Sequence, residues 1–264
     1  PIVRRYAFSE RCSEIVDSNV IIAEPHSEVT AVLIYDGEDD ASGFGCGLTR
    51  VLAENCALVR VIQVQTMNAR SRRFSDFSAV IANGARVELT RLELGGADIY
   101  CGCHMKLEGD KAEAKTDTFY FGDGERTLDF NYIARHLGKY SKSEQNAAGA
   151  LFGRCDKLYR GTIDFIRGAS GSKGAESETT LLFSDEARSR AAPLILCGEE
   201  NVEGSHAASV GRIGEKQLYY MRSRGISESD ARRLMVQAQL ESAMRALADE
   251  NEKERLRRLL AGRF

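Results

Sequence analysis

The sequence contains no tryptophan and only three prolines, and its seven cysteines never form a Cys-x-x-Cys pair. Without such a pair, neither a zinc ribbon nor a thioredoxin-like motif is available. The motifs G-x-x-x-x-G-K-[ST], G-x-G-x-x-G and G-x-S-x-G are also absent, which excludes a nucleotide-binding loop of its own and the usual hydrolase elbow. An odd number of cysteines in a chain of 264 residues is typical of reduced thiols, so we expect a cytoplasmic protein.

Charge and hydropathy argue against two further classes of partner. A net charge of -3 at pH 7 leaves no basic excess to neutralise phosphates, so nucleic acid is not expected as a main partner. No apolar run approaches the roughly 20 residues that a membrane span needs, so a membrane is not expected either.

Residues 1–212 show the period-two alternation of β-strands, broken by turns such as Asn83-Gly84. Several short strands with frequent turns are typical of a sandwich, a barrel or a β-helix. Irregular repeat lengths closed by a helical end favour a mainly β domain, a right-handed parallel β-helix whose open end needs a cap. The small, polar segments 140–150 and 168–178 are predicted to be loops between its coils.

From Gly214 the spacing becomes helical, so residues 213–264 are predicted to form a small α-helical domain. Gly225 is predicted to end a first short helix, and Ser227 to cap the next one. The apolar stripe of the C-terminal helices is predicted to contain Ala231, Leu234, Met235, Ala238, Leu256, Leu259 and Leu260. This stripe either packs onto the last coil or forms a docking surface, and the pattern alone favours packing.

His206 is the first candidate for chemistry, because the small residues around it leave the imidazole approachable. Neutral imidazole is a common metal ligand, but the chemistry alone favours a surface or hydrogen-bonded histidine. Cys197 comes earlier in the sequence, and the turn between the two residues could bring them together. They are therefore a candidate metal pair. Cys101 and Cys103 share one face of a strand whereas His104 points to the other, so this C-x-C-H run is predicted to be core.

The stretch that begins at Leu181 resembles a known family signature. Its parts are LLFSDEA, the strand SHAASVGRI, and QLYY leading to RSRGIS, and the segments LEGDKAEAKTDTFYFGDGERTLDF and LYRGTIDFIRGASGSKG match more loosely. Together they resemble the SufB/SufD family, the scaffold subunits of the SUF iron–sulfur cluster assembly system. The likeness covers roughly residues 50–245.

The resemblance implies a non-enzymatic protein with a right-handed parallel β-helix and a small helical domain. Two such subunits would pair through their β-helices, as a homodimer or as a heterodimer with a SufB-like subunit. The helical domain would dock a SufC-type ABC ATPase, and the resemblance offers as contacts Gln217, Tyr219, Tyr220, Arg222 and Arg224. The chain would be either a truncated member or a compact one from a minimal system.

The resemblance also gives His206 a role, as the family's histidine at the subunit interface and a proposed ligand of iron or a transient cluster shared across the dimer. Glu178 stands where SufB has a cysteine, and Gln65 and Gly204 also replace family cysteines, so the chain is more SufD-like. Glu178 and Cys197 are the other ligand candidates. Two alternatives remain open: a carbohydrate-active β-helix enzyme, and a purely structural subunit that holds no cluster.

Overall fold

The computed structural model describes residues 1–38, 42–212 and 215–263, except for the side chains of residues 215 and 217. In these residues, sixteen β-strands are followed by three α-helices and one 3₁₀ helix. The strands are β1 Ile2–Phe8, β2 Glu14–Ala23, β3 Glu28–Gly37, β4 Phe44–Ala53, β5 Leu58–Gln65, β6 Arg72–Ile81, β7 Arg86–Glu93, β8 Asp98–Leu107, β9 Glu113–Gly122, β10 Thr127–His136, β11 Lys142–Leu151, β12 Asp156–Phe165, β13 Lys173–Leu182, β14 Arg188–Ala191, β15 Leu194–Cys197 and β16 Glu203–Gly211. The helices are α1 Glu215–Ser223, α2 Glu228–Ala243, the 3₁₀ helix Met244–Ala246, and α3 Glu250–Ala261.

The strands form two parallel sheets that face each other, which confirms the predicted parallel β-helix. One sheet has the order β1-β3-β5-β7-β9-β11-β13-β16, and the other has the order β14-β12-β10-β8-β6-β4-β2, with β15 also paired to β12. Each coil contributes one strand to each sheet and repeats after about 30 residues, in the range of solenoid repeats. The coil length varies along the chain, as the sequence indicated.

Side-chain alternation builds the interior, because every second residue of a strand points between the two sheets. In β8 the strict alternation buries Ile99, Cys101, Cys103, Met105 and Leu107 on one face, as predicted. The predicted loops at 140–150 and 168–178 are wrong, because β11 and β13 occupy most of them. Their small, polar residues fit inside a narrow coil and pair with their neighbours in the sheet.

One corner of the solenoid has the same turn in successive coils. A residue with positive φ lies there in each of six coils: His26, Cys56, Gly84, Lys111, Tyr140 and Gly171. The backbone N–H of each donates to a carbonyl in the next coil at 2.7–3.0 Å. The sequence signalled this geometry only where glycine occurs, because glycine adopts positive φ with little steric cost.

The C-terminal helices pack along the outer face of the sheet that runs from β1 to β16. Val236 and Leu240 of α2 and Leu256 and Leu260 of α3 share one buried cluster with strand residues that include Ile62, Val64, Leu92, Phe119 and Phe121. The predicted stripe is correct at Ala231, Leu256 and Leu260 but wrong at Leu234 and Ala238, which are exposed. Packing therefore occurs as the spacing favoured, but along the side of the solenoid and not over its last coil.

The helix ends follow the sequence signals. Gly225 has a φ of +81°, and the bonds Gly225 N–H to Arg222 and Ile226 N–H to Met221 form a Schellman motif after α1. Ser227 caps α2 by accepting from the N–H of Asp230. The division into domains 1–212 and 213–264 stays a prediction, since α2 and α3 share their buried cluster with the sheet. No helix of the described residues is long and apolar enough to cross a membrane.

Candidate functional site

The last coil carries the residues that the sequence singled out for iron. β16 pairs with β13 on one side, and within the described part of the chain no strand pairs with its other side. The register places His206 beside Glu176 and Ala208 beside Glu178. Paired residues of parallel strands point the same way, so His206 is directed toward the interior face. It is nevertheless exposed, because β16 is the terminal strand of its sheet.

Glu176 is the residue of this coil that sequence reasoning missed, since it lay in a predicted loop. Glu176 is only 6% exposed, and its side chain lies against Gly161 of β12, where any Cβ would collide with the carboxyl group. Its Oε2 has no hydrogen-bond partner among the described residues. Burial, followed by repulsion from Glu178, raises the pKa of Glu176 to about 7. The alternation in KGAESETT could have revealed it as an inward-facing position.

Glu178 points inward as well, but its carboxylate is already engaged. It forms an ion pair with Lys157, and the side chains are 1% and 0% exposed. The Tyr120 hydroxyl also donates to Glu178 Oε1 at 3.2 Å. The pKa of Lys157 is lowered overall, because burial lowers it by more than the Coulombic attraction of Glu178 raises it. Glu178 therefore lies inside the coil, beside Ala208 and two residues along the strand from the pairing partner of His206.

Cys197 and His206 lie on facing strands of the last coil. Gly204 faces Ile195 across the interior, because a Cβ on Gly204 would lie 2.9 Å from Ile195 Cγ2. In the preceding coil, Gly174 faces Ile163 and Glu176 faces Gly161, so the two facing strands run in opposite directions. Cys197 and His206 consequently lie on opposite sides of the Ile195–Gly204 level, separated along the strands by roughly 13 Å at 3.3 Å per residue.

The structure thus does not bring His206, Glu178 and Cys197 together as one ligand set. Within residues 1–38, 42–212 and 215–263, no group of three or more His, Cys, Asp or Glu side chains could hold a metal ion. A ligand role for each of the three stays a prediction. In this arrangement Cys197 does not reach His206, and the Glu178 carboxylate is engaged by Lys157.

The interior contains a second polar cluster farther along the solenoid. Arg91 Nε donates to Gln63 at 3.1 Å, Arg73 Nη1 donates to Glu93 Oε1 at 3.5 Å, and the Cys101 thiol donates to the same Glu93 oxygen. Burial raises the pKa values of Cys101 and of its neighbour Cys103 to about 12. Both therefore remain neutral thiols at pH 7, which agrees with the predicted core role.

Four of the five predicted ATPase contacts lie on α1, and the fifth, Arg224, follows its last residue, Ser223. Tyr219 and Tyr220 are 76% and 59% exposed. Arg224 stacks over the Tyr220 ring at 5.4 Å, and Arg222 lies in the last turn of the helix. Leu218 instead lines a cavity with Phe183 and Arg232, which fixes the opposite face of α1 toward the protein. The side chain of Gln217, the remaining predicted contact, lies outside the described residues.

Comparison with known proteins gives this geometry a family. The model described as SUF system FeS cluster assembly, SufBD core domain, matches residues 7–239. The chain is similar to iron–sulfur cluster assembly protein SufD of Bacillus subtilis (strain 168), with 27% identity over 97% of this chain and 59% of that protein. It is also similar to SufD of Escherichia coli (strain K12), with 25% identity over 87% of this chain and 54% of the relative.

A SufBD family protein of Mycobacterium leprae (strain TN) is 26% identical over 86% of this chain and 59% of its own length. The chain thus spans somewhat more than half the length of these relatives. Since the family model covers most of the chain and matches the β-helix together with α1 and most of α2, the protein belongs to the SufB/SufD family of the SUF iron–sulfur cluster assembly system.

Proposed function

We propose that this protein is a SufD-like scaffold subunit, which assembles iron–sulfur clusters with partners and has no catalytic activity of its own. The family match and the names of the SufD relatives support this role. The observation that carries the proposal is an exposed terminal strand, β16, that presents His206 at the end of a parallel β-helix. The subunit works in the cytoplasm.

The terminal coil is the pairing surface in this proposal. β16 is exposed along its length and has backbone hydrogen-bonding groups on the side away from β13. Such an edge invites another strand, and proteins normally cover or blunt it. A second β-helix, either another copy of this chain or a SufB-like subunit, would cover β16 and bring its own side chains to His206.

The cluster is cargo in this proposal and is bound transiently. This chain offers one exposed imidazole there. A SufB-like partner would supply the thiolates that an iron–sulfur cluster usually takes, whereas another copy of this chain would supply a second imidazole. Cys197 is exposed on the same coil, but roughly 13 Å along the strands separate it from His206, so it is a candidate ligand only for iron bound at a second position. Glu178 could contribute an oxygen only after releasing Lys157.

The helical segment docks a SufC-type ABC ATPase in this proposal. Exposed tyrosines beside arginines are typical of residues that dominate binding energy at protein interfaces. This chemistry is provided by one short helix and the residue after it, through Tyr219, Tyr220, Arg222 and Arg224.

A pull-down with the cognate ATPase tests the docking. We expect wild-type protein to retain the ATPase, and Tyr220→Ala or Arg222→Ala to weaken binding by about tenfold or more, the usual scale for an interface hot spot. Tyr140→Ala is the matched control, because Tyr140 is equally exposed but lies at a corner of the solenoid. Retention that is absent in the wild type, or unchanged in both α1 variants, refutes the docking role.

Cluster loading of the assembled complex tests the ligand role separately. We expect His206→Ala to lose visible absorbance from the cluster while still pairing and binding the ATPase, with His26→Ala, another exposed histidine, unchanged. Intact loading in His206→Ala would favour the purely structural subunit. Turnover of polyuronides by the purified protein would favour the carbohydrate-active alternative.

A further inference from the structure

A cavity of about 920 Å³ lies on the side of the β-helix, away from His206 and α1. It is formed where the turn between β9 and β10 meets the segment after β5 and the end of α3. The residues used below are Arg72, Asp98, Asp123, Glu125, Arg126 and Arg263, which all line it. Neither the last coil nor the proposed ATPase surface includes this cavity.

Arg126 is buried in the wall of this cavity. Arg126 is 5% exposed, and its Nη1 donates to the carbonyl oxygen of Leu94 at 3.3 Å. Its Nε lies 2.7 Å from Asp123 Oδ1. The geometry of that contact is poor for a hydrogen bond, and Nε has no acceptor with good alignment among the described residues. The ion pair is therefore close, but it leaves the donor capacity of a buried guanidinium partly unused.

Arg263 approaches the same carboxylate from the end of the chain that the structure describes. Its Nη1 lies 3.6 Å from Asp123 Oδ2 and donates to the same Leu94 carbonyl oxygen at 2.6 Å. Two guanidiniums thus share one carboxylate and one carbonyl. Burial lowers the pKa of Arg126 to about 10 and also lowers the pKa of Arg263, so the single carboxylate does not offset their loss of water.

The other charges around the cavity are already paired. Arg72 Nε lies 2.8 Å from Asp98 Oδ2, and Glu125 forms an ion pair with Arg154. Among the residues that the structure describes, Asp123 is the carboxylate that faces the two remaining guanidiniums, so this group of three side chains carries one positive charge in excess. A buried charge without a full counter-charge costs free energy, and a bound anion removes that cost.

We propose that this cavity binds a phosphate-bearing small molecule through Arg126 and Arg263. Guanidinium groups recognise phosphate with paired, charge-assisted hydrogen bonds. A phosphoryl group has three acceptor oxygens, so it can accept from both guanidiniums at once, whereas a carboxylate has two. Asp123 orients the two arginines and limits the excess charge, so its removal strengthens binding of the anion.

Titration calorimetry on the purified full chain tests the site with inorganic phosphate, with sodium chloride at matched ionic strength and with acetate. We expect phosphate alone to bind and to raise the unfolding temperature. Arg263→Gln should weaken the phosphate affinity by about tenfold or more, the scale of a hydrogen bond to a charged group. Asp123→Asn should strengthen it, and the remote, exposed Arg190→Gln should leave it unchanged.

Arg263→Gln and Asp123→Asn should change the phosphate affinity in opposite directions, and this difference separates binding from a structural role. If Arg126 and Arg263 only fasten the turn to α3, then Arg263→Gln and Asp123→Asn both unfold at lower temperature and neither changes any phosphate response. That result overturns the proposal, as does an equal response to phosphate and chloride. Binding of acetate as tight as phosphate overturns the phosphoryl assignment.

Discussion

The buried ion pair between Lys157 and Glu178 gives the sharpest prediction about stability. The side chains are 0% and 1% exposed, and Lys157 also donates to the carbonyl of Arg190 at 3.3 Å. Substituting Lys157→Met keeps the volume of the side chain but leaves the Glu178 carboxylate buried without its cation. Breaking a buried pair in this way costs about 3–5 kcal/mol of unfolding free energy.

The size of this loss should depend on pH. Without Lys157, a proton added to the Glu178 carboxylate removes the unpaired buried charge, so low pH relieves part of the cost of burying it. We therefore expect Lys157→Met to lose less stability at pH 5 than at pH 8.

Urea unfolding followed by circular dichroism measures this effect, with the double variant Lys157→Met/Glu178→Leu as the matched control. Replacing both charges by apolar groups removes the unpaired carboxylate, so the double variant should recover most of the loss. A single variant that loses less than about 1 kcal/mol, or a double variant as unstable as the single one, would refute the reasoning.

Two further predictions concern buried groups that titrate in opposite directions. Glu176 has a folded pKa of about 7, so its contribution is greatest below the usual glutamate value of 4.5 and is lost as pH rises toward 7; Glu176→Gln should gain about 1–3 kcal/mol relative to wild type at pH 8, measured by urea unfolding, and no gain at that pH contradicts this. His136 is held between the hydroxyls of Ser141 and Ser143, and burial lowers its pKa to about 4. Its contribution is therefore present above the usual imidazole pKa of 6.5 and is lost as pH falls toward 4. His136→Gln should show a flatter decline of unfolding temperature between pH 6.5 and pH 4 than wild type, and an equal slope would exclude the effect.

The repeat of the solenoid was visible where large residues alternate. β8 was predicted correctly, since five inward-facing side chains are apolar or cysteine. β11 and β13 were predicted as loops, because their inward positions are filled by Ser, Gln, Ala, Gly, Glu and Thr. Such residues lower the expectation of a strand when they are read alone, but neighbouring coils supply their hydrogen bonds and exclude water around them.

In the helical segment, too, the sequence predicted some features correctly and missed others. Gly225 and Ser227 mark helix ends through local backbone geometry, and both were predicted correctly. The buried face of α2 was not, because Val236 and Leu240 replace Leu234 and Ala238 in the contact with the sheet. The outer surface of the strands decides which face is buried, and that surface does not exist in the isolated helix.

The sequence by itself determined the alternation of strands, the helix caps and the family to which the signature belongs, because each depends on residues close together in the chain. Only the tertiary structure decided that Glu178 is paired with Lys157, that Cys197 and His206 diverge, and that Glu176 lies beside His206 in the sheet. Those relations depend on the register between coils, which brings together residues about 30 positions apart and is fixed by packing across the whole solenoid.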